Sequence, residues 1–347
     1  MFHATALGQE IYQQPAALAR QLTSADDAVR DAAARIRAFA PDVVLLAARG
    51  SSDNAARYAQ YLLGAFNGQV VALATPSLFT LYQRAPRLSR TLSIGISQSG
   101  QSPDVVAVIE ETRRQGGLTV AITNDPSSPL AKTASAVIPL GVGNERSIAA
   151  TKTYTGSLLA IAMLSTAIDS DPKRAVALRG VPQAVEAALT QHAALADVAS
   201  AFAGYSRLLV VARGYNYSTA FELALKMKET SQVLAEGHSM ADLMHGPLAM
   251  VDEQLPVILI APSGVGSDEA PSLLLRLKTQ RAKVIVFSDR QVHFANADAI
   301  VPLPCVPEWL SPMVAIIAGQ LWALELAIAR GFDPDLPLGL SKVTRTT

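Results

Sequence analysis

Three short stretches hold the residues whose types and spacing could do chemistry. Along FELALKMKETSQ, Glu222, Lys226 and Glu229 recur at i, i+4 and i+7, which puts them on one face of a helix. Because the helix directly follows the ARG strand end, this face can reach a ligand crevice; the same spacing also describes a solvated ion-pair stripe. Sixteen residues beyond Glu229, His245 stands in LMHGP, just before a Gly-Pro turn. An imidazole titrates near neutrality and suits a proton shuttle, although a lone histidine also serves structure. The third stretch is SQSGQSPD, with Ser97, Gln98, Ser99 and Ser102, joined by ARGSSDN, with Gly50, Ser51 and Ser52. Small hydroxyls and bare amides donate several hydrogen bonds to a phosphate and let the backbone approach it. The same residues are common in turns and N-caps. No GxxxxGK[ST] and no GxGxxG occurs, which excludes the nucleotide P-loop and the dinucleotide fingerprint.

These residues must be positioned by repeated elements. LLAARGSS (45–52) matches LVVARGYN (209–216), ISQSGQSPD (96–104) matches IAPSGVGSD (260–268), and VAITND (120–125) matches VIVFSD (284–289), all at an offset of 164. Three matches in one register point to a tandem duplication. Within each half, continuous apolar runs such as VVLLAA, TLSIGIS and LTVAIT alternate with helical stretches, as in a parallel sheet covered on both faces. Right-handed βαβ crossovers then predict an α/β fold of two doubly wound, mainly parallel five-stranded sheets flanked by helices. The expected division is a helical segment 1–37, a first domain 38–170, a helical linker 171–203, a second domain 204–335 and a tail 336–347. In such sheets ligands gather at the strand C-termini, where helix N-termini offer unpaired N–H groups.

Composition narrows the function classes. The 347 residues suffice for two domains; half are apolar, 17% are charged, and 29 basic residues balance 29 acidic ones. That balance predicts no nucleic-acid and no membrane partner, but a small molecule. The single cysteine, Cys305, excludes an intrachain disulfide and a cysteine-based zinc site. The start MFHATALGQE has no signal-peptide pattern, and the most apolar segment, 313–329, is interrupted by Glu325, so a cytoplasmic chain without a membrane span is expected.

Taken together, ARGSS, SQSGQSPD, AATKTYT, ALKMKE, LMHGPLAM and a terminal lysine resemble the sugar isomerase (SIS) domain family. The resemblance extends from EIYQQPAAL almost to the C-terminus, and its nearest form is the isomerase half of glucosamine-6-phosphate synthase and stand-alone SIS deaminases. It implies that Ser52, Ser97, Gln98, Ser99 and Ser102 hold a sugar phosphate, with Gly50 and Ser51 along the sugar. It places Ile148, Ala150, Glu222 and Ser341 at the substrate as well. Glu229 becomes the carboxylate that moves a proton between C1 and C2, and Lys226 lies near the sugar hydroxyls. His245 assists ring opening from a neighbouring subunit of a homodimer. Lys342 closes over the site and forms an imine with the open-chain ketose. Ala150 departs from the synthase pattern, where a serine usually contacts the sugar.

A glutaminase needs an N-terminal cysteine, whereas this chain begins Met-Phe. The expected reaction is therefore deamination of glucosamine 6-phosphate to fructose 6-phosphate and ammonia, with no metal or redox cofactor. Galactosamine 6-phosphate deamination or isomerisation, a fructosamine-6-phosphate deglycase, and a non-catalytic sugar-phosphate-binding regulator are the alternatives.

Overall fold

The computed structural model describes residues 5–290 and 294–342. Three helices, α1 (Ala6–Tyr12), α2 (Gln14–Ser24) and α3 (Asp26–Phe39), precede β1 (Val43–Ala47), α4 (Ser51–Asn67), β2 (Val71–Leu73), α5 (Ser77–Thr80) and β3 (Thr91–Ser97). Next come α6 (Pro103–Arg114), β4 (Leu118–Thr123), α7 (Pro129–Thr133), β5 (Ala136–Pro139) and four helices: α8 (Lys152–Asp169), α9 (Pro172–Arg179), α10 (Val181–Leu189) and α11 (His192–Phe202). The second copy runs β6 (Arg207–Ala212), α12 (Tyr217–Ser231), β7 (Leu234–Ser239), α13 (Met240–Met244), β8 (Val257–Ile260), α14 (Ala270–Thr279), β9 (Val284–Ser288), β10 (Ala299–Pro302) and α15 (Ser311–Ala329).

The chain forms two compact units. One contains 16–145, 152–180 and 341–342 of the described residues, with the sheet order β2-β1-β3-β4-β5. The other contains 5–15, 146–151 and 181–340 apart from 291–293, with the order β10-β9-β8-β6-β7. Every strand pair in both sheets is parallel. The two orders are the same path, with the first strand paired to the second on one side and to the third on the other.

Burial explains the apolar runs. Leu208, Val210 and Ala212 alternate with Leu209 and Val211 along β6, and all five are at most 2% exposed. Leu209 and Val211 join α13, α14, β8 and β9 in one core through Leu243, Leu273 and Val257. In the other unit, Val105, Val108 and Ile109 of α6 pack with Ala47, Ala121 and Leu130. With helices on both faces there is no wet side, and the period-2 polar alternation disappears.

Among the described residues one helix reaches the length and mean apolarity of a membrane span, although Glu325 interrupts it. The helix within Glu308–Ala329 is long and apolar enough by length and composition, and 83% of that window is buried inside the protein. It is a core helix. Its one acid, Glu325, is satisfied locally: Glu325 accepts from His192 Nε2 at 2.6 Å, and the other ring nitrogen of His192 lies 2.7 Å from the Tyr12 hydroxyl. A single paired carboxylate does not stop the helix from lining the core.

Candidate functional site

The hydroxyl array lies in the unit built on β1 to β5. β1 and β3 are adjacent strands, so the turns after them, 48–50 and 98–102, lie side by side at the C-terminal edge of the sheet. This is the point where the strand order reverses, the place where open parallel sheets take ligands. The second turn is held by its carbonyls. Gln98 O accepts from Asn124 N–H at 3.1 Å, and Gly100 O accepts from Leu130 N–H at 3.1 Å. The N–H groups of Gly100 and Gln101 donate within the turn, to Ser97 Oγ at 3.1 Å and Ser99 Oγ at 3.3 Å, which leaves those hydroxyl protons able to donate to an anion.

Ser97 is buried, and its Oγ accepts from Gly100 N–H at 3.1 Å, which leaves the hydroxyl proton to donate elsewhere. Ser102 occupies the N-cap of α6 without making a capping hydrogen bond. The serine that turn chemistry would assign to capping is therefore not used for it. Gly100 has φ +60°, and a Cβ there would lie 2.1 Å from Ser128 Oγ, so the turn admits only glycine. Arg49, next to Gly50, binds buried Asp104 at 2.7 Å and so ties the first turn to the start of α6. Burial pushes the neighbouring Asp53 carboxyl up, against the pull of Arg57 and Arg49. Gln98, Ser99, Ser51 and Ser52 are half-buried and Gly50 is exposed.

The proton-transfer candidates lie in the other unit, on α12, which follows β6. Lys226 Nζ is 3.4 Å from Glu222 Oε1 and makes a short contact with Glu229 Oε2. Side-chain exposure excludes a solvated stripe: 0% for Glu222, 2% for Lys226 and 18% for Glu229. This is a buried ion cluster with one member reaching solvent. His245 is exposed on the turn after α13, and its N–H donates to Asp242 O at 3.1 Å. Ile148 and Ala150 are half-buried in the same unit. Among the described residues no group of three or more His, Cys, Asp or Glu side chains could hold a metal ion.

Two carboxylates went unnoticed in the sequence. Glu10 is 2% exposed and accepts from the N–H groups of Arg146 at 2.6 Å and Ser147 at 3.2 Å, which fixes the segment leading to Ile148 and Ala150. Glu145 is also buried, and accepts from Lys342 Nζ at 2.9 Å and from Thr153 N–H and Oγ at 3.0 and 2.7 Å. Lys342 is thus anchored rather than frayed, while Ser341 is exposed. Residues 343–347 of the expected tail lie outside the described residues.

Burial alone would push the Glu145 carboxyl up; the Lys342 ammonium and the Thr153 hydrogen bonds outweigh it and hold it below the ordinary glutamate value of 4.5. A carboxyl lowered on folding contributes stability above its unfolded pKa and loses it as pH falls through the folded one. Stability is therefore expected to drop on acidification below 4.5, and Glu145→Gln to flatten that part of the profile. Chemical denaturation at a series of pH values checks this.

With this geometry established, likeness to known proteins becomes informative. The SIS domain profile matches residues 41–167 and again 202–330, one match on each sheet. The chain belongs to the SIS-domain family. The chain is 33% identical over 343 residues to the glutamine–fructose-6-phosphate aminotransferase (isomerizing) of Thermococcus kodakarensis, an alignment covering 96% of this chain and 57% of that protein. The chain thus spans somewhat over half the length of this relative. A candidate phosphosugar isomerase from Silicibacter pomeroyi DSS-3 superposes with a TM-score of 0.86 at 33% identity, covering 95% of this chain and 100% of that one. The C-terminal domain of glucosamine-fructose-6-phosphate aminotransferase from Francisella tularensis gives a TM-score of 0.85 at 25% identity, covering 95% and 98%.

Proposed function

We propose that this SIS protein is a phosphosugar isomerase acting on an amino sugar, and that its reaction is deamination of glucosamine 6-phosphate to fructose 6-phosphate and ammonia. The observation carrying this reading is the buried Glu222–Lys226–Glu229 cluster, whose solvent-reaching member is a carboxylate. A general base must meet its substrate while its charge is steadied from behind. The names of the aminotransferase and isomerase relatives point to the same substrate class.

In this mechanism His245 assists opening of the sugar ring to the C1 aldehyde. Glu229 removes the proton at C2, acidified by that carbonyl, and a proton returns to C1 through an enolamine. The resulting C2 imine takes up water and releases ammonia, leaving the ketone. The aldehyde is the electron sink, so the steps balance with water as the one added reactant. Lys342, once deprotonated, would form an imine at C2 of the open-chain ketose with loss of the carbonyl oxygen as water, and hydrolysis would return the ketone and the free amine. The same groups would run the reverse reaction if ammonia were delivered, as the names of the aminotransferase relatives suggest.

The phosphate serves as a handle: binding energy at Ser97, Ser99 and Ser102 is used to position C1 and C2. Unphosphorylated glucosamine is therefore expected to be a very poor substrate, and ammonia release with the two sugars measures the ratio. Comparable kcat/KM would remove the phosphate site. The same assay on galactosamine 6-phosphate and a fructosamine 6-phosphate separates the neighbouring substrates.

Exposed His245, flanked by the exposed apolar side chains Met244 and Met250, fits a role across a subunit contact in a homodimer. Mixing the inactive variants His245→Ala and Glu229→Gln is expected to restore part of the activity in hybrids. Hybrids with none would place each site within one subunit.

A further inference from the structure

The offset of 164 lays the turn after β8 on the turn after β3: Ser263-Gly264-Val265-Gly266 stands where Ser99-Gly100-Gln101-Ser102 stands in the first copy. Its place in the sheet is equivalent. β6 and β8 are neighbours where the second strand order reverses, as β1 and β3 are in the first. In the second copy a group from the chain itself occupies the crevice. Glu308, between β10 and α15, reaches back so that its carboxylate accepts from Val265 N–H at 3.1 Å and Gly266 N–H at 2.8 Å.

Glycines make room for this carboxylate. A Cβ on Gly264, whose φ is +146°, would lie 2.1 Å from the Glu308 carboxyl carbon, and one on Gly266 would lie 2.8 Å from Oε1. From the end of β6, a Cβ on Gly214 would come within 3.9 Å of the same oxygen. The carboxylate is therefore placed between the ends of both strands, and not merely beside one loop. Two successive backbone N–H groups on one anion form the pattern a phosphate would receive from such a turn.

We infer that Glu308 is a built-in substitute for phosphate that fills the second copy's ligand crevice. A duplicated sheet would otherwise offer two equivalent anion sites and two ways to seat a phosphomonoester. Filling one site with a tethered carboxylate leaves the first copy's turn to take the phosphate, so each chain binds one substrate in one orientation. Specificity of this kind comes from excluding the wrong mode as much as from favouring the right one. The inference rests on the phosphate reading of the first turn only for the number of sites in the parent protein.

The test compares parent and Glu308→Ala proteins, titrated separately with inorganic phosphate and glucosamine 6-phosphate by calorimetry. The parent is expected to bind one phosphate per chain and the variant one more, with the additional site surviving Ser99→Ala and Ser102→Ala. A parent that binds none beside a variant that binds one would refute the first-turn assignment and leave the role of Glu308 standing. A variant that binds no more than the parent overturns the inference. If the alanine variant does not fold, Glu308→Gln keeps the bulk and removes the charge. Loss of a charge-assisted hydrogen bond is then expected to speed amide exchange at Val265 or Gly266 about tenfold. Unchanged exchange at both amides overturns the inference equally.

Discussion

Glu229→Gln is expected to lower turnover of glucosamine 6-phosphate by about 10²- to 10⁴-fold, the usual contribution of one well-placed general base. Substrate affinity should change little, because the phosphate turn lies on the other sheet and is held by its own contacts with Asn124 and Leu130. The loss should therefore appear in kcat and much less in KM, as for a group that acts mainly in the transition state. Glutamine retains the shape and the capacity to accept from Lys226 but cannot take a proton from carbon. Steady-state kinetics with coupled detection of fructose 6-phosphate measures the split. A variant with near-parental kcat would show that another group moves the proton.

Lys226→Met is expected to be the most damaging change to stability. Glu222 is fully buried, and Lys226 balances it from 3.4 Å away. Removing one partner of a buried ion pair leaves an uncompensated charge, at a cost of about 3–5 kcal/mol. Replacing both, as Glu222→Gln with Lys226→Met, removes the stranded charge and should recover a large part of that loss. Urea denaturation of the two single variants and the double variant forms the cycle that isolates the coupling. Additive single effects would mean that the two groups do not act as a pair.

Much of this fold is readable in sequence because its determinants are local. VVLLA and LLVVA (208–212) are unbroken apolar runs because helices cover both faces of each sheet, and the offset of 164 already aligns the two copies. The serine-rich turn after β3 is readable for the same reason, since its hydroxyls lie within eight residues. The spacing of Glu222, Lys226 and Glu229 places them on one face but is silent on burial. Burial depends on what packs against α12, and that separates a buried ion cluster from a solvated stripe.

The long-range carboxylates were not readable. Glu145 and Lys342 are 197 residues apart, and Glu308 meets Val265 across 43. No periodicity links such partners, and an isolated acid in GVGNER or VPEWL looks like an ordinary loop residue. Glu10 gave a weak signal, as an acid on a short helix that packs on α15, but its role requires knowing where residues 146 and 147 pass. The apolar helix α15 has the length and composition of a membrane span; Glu325 already argued against one in the sequence, and its buried surroundings place it in the core.

The most direct measurement is a crystal structure of the Glu229→Gln protein soaked with glucosamine 6-phosphate, a variant that should retain its substrate. The phosphoryl group is expected within hydrogen-bonding distance of the Ser97, Ser99 and Ser102 hydroxyls, with the side chain at position 229 beside C1 and C2. A sugar phosphate bound elsewhere, with that turn empty, would contradict both the binding site and the chemistry assigned to it.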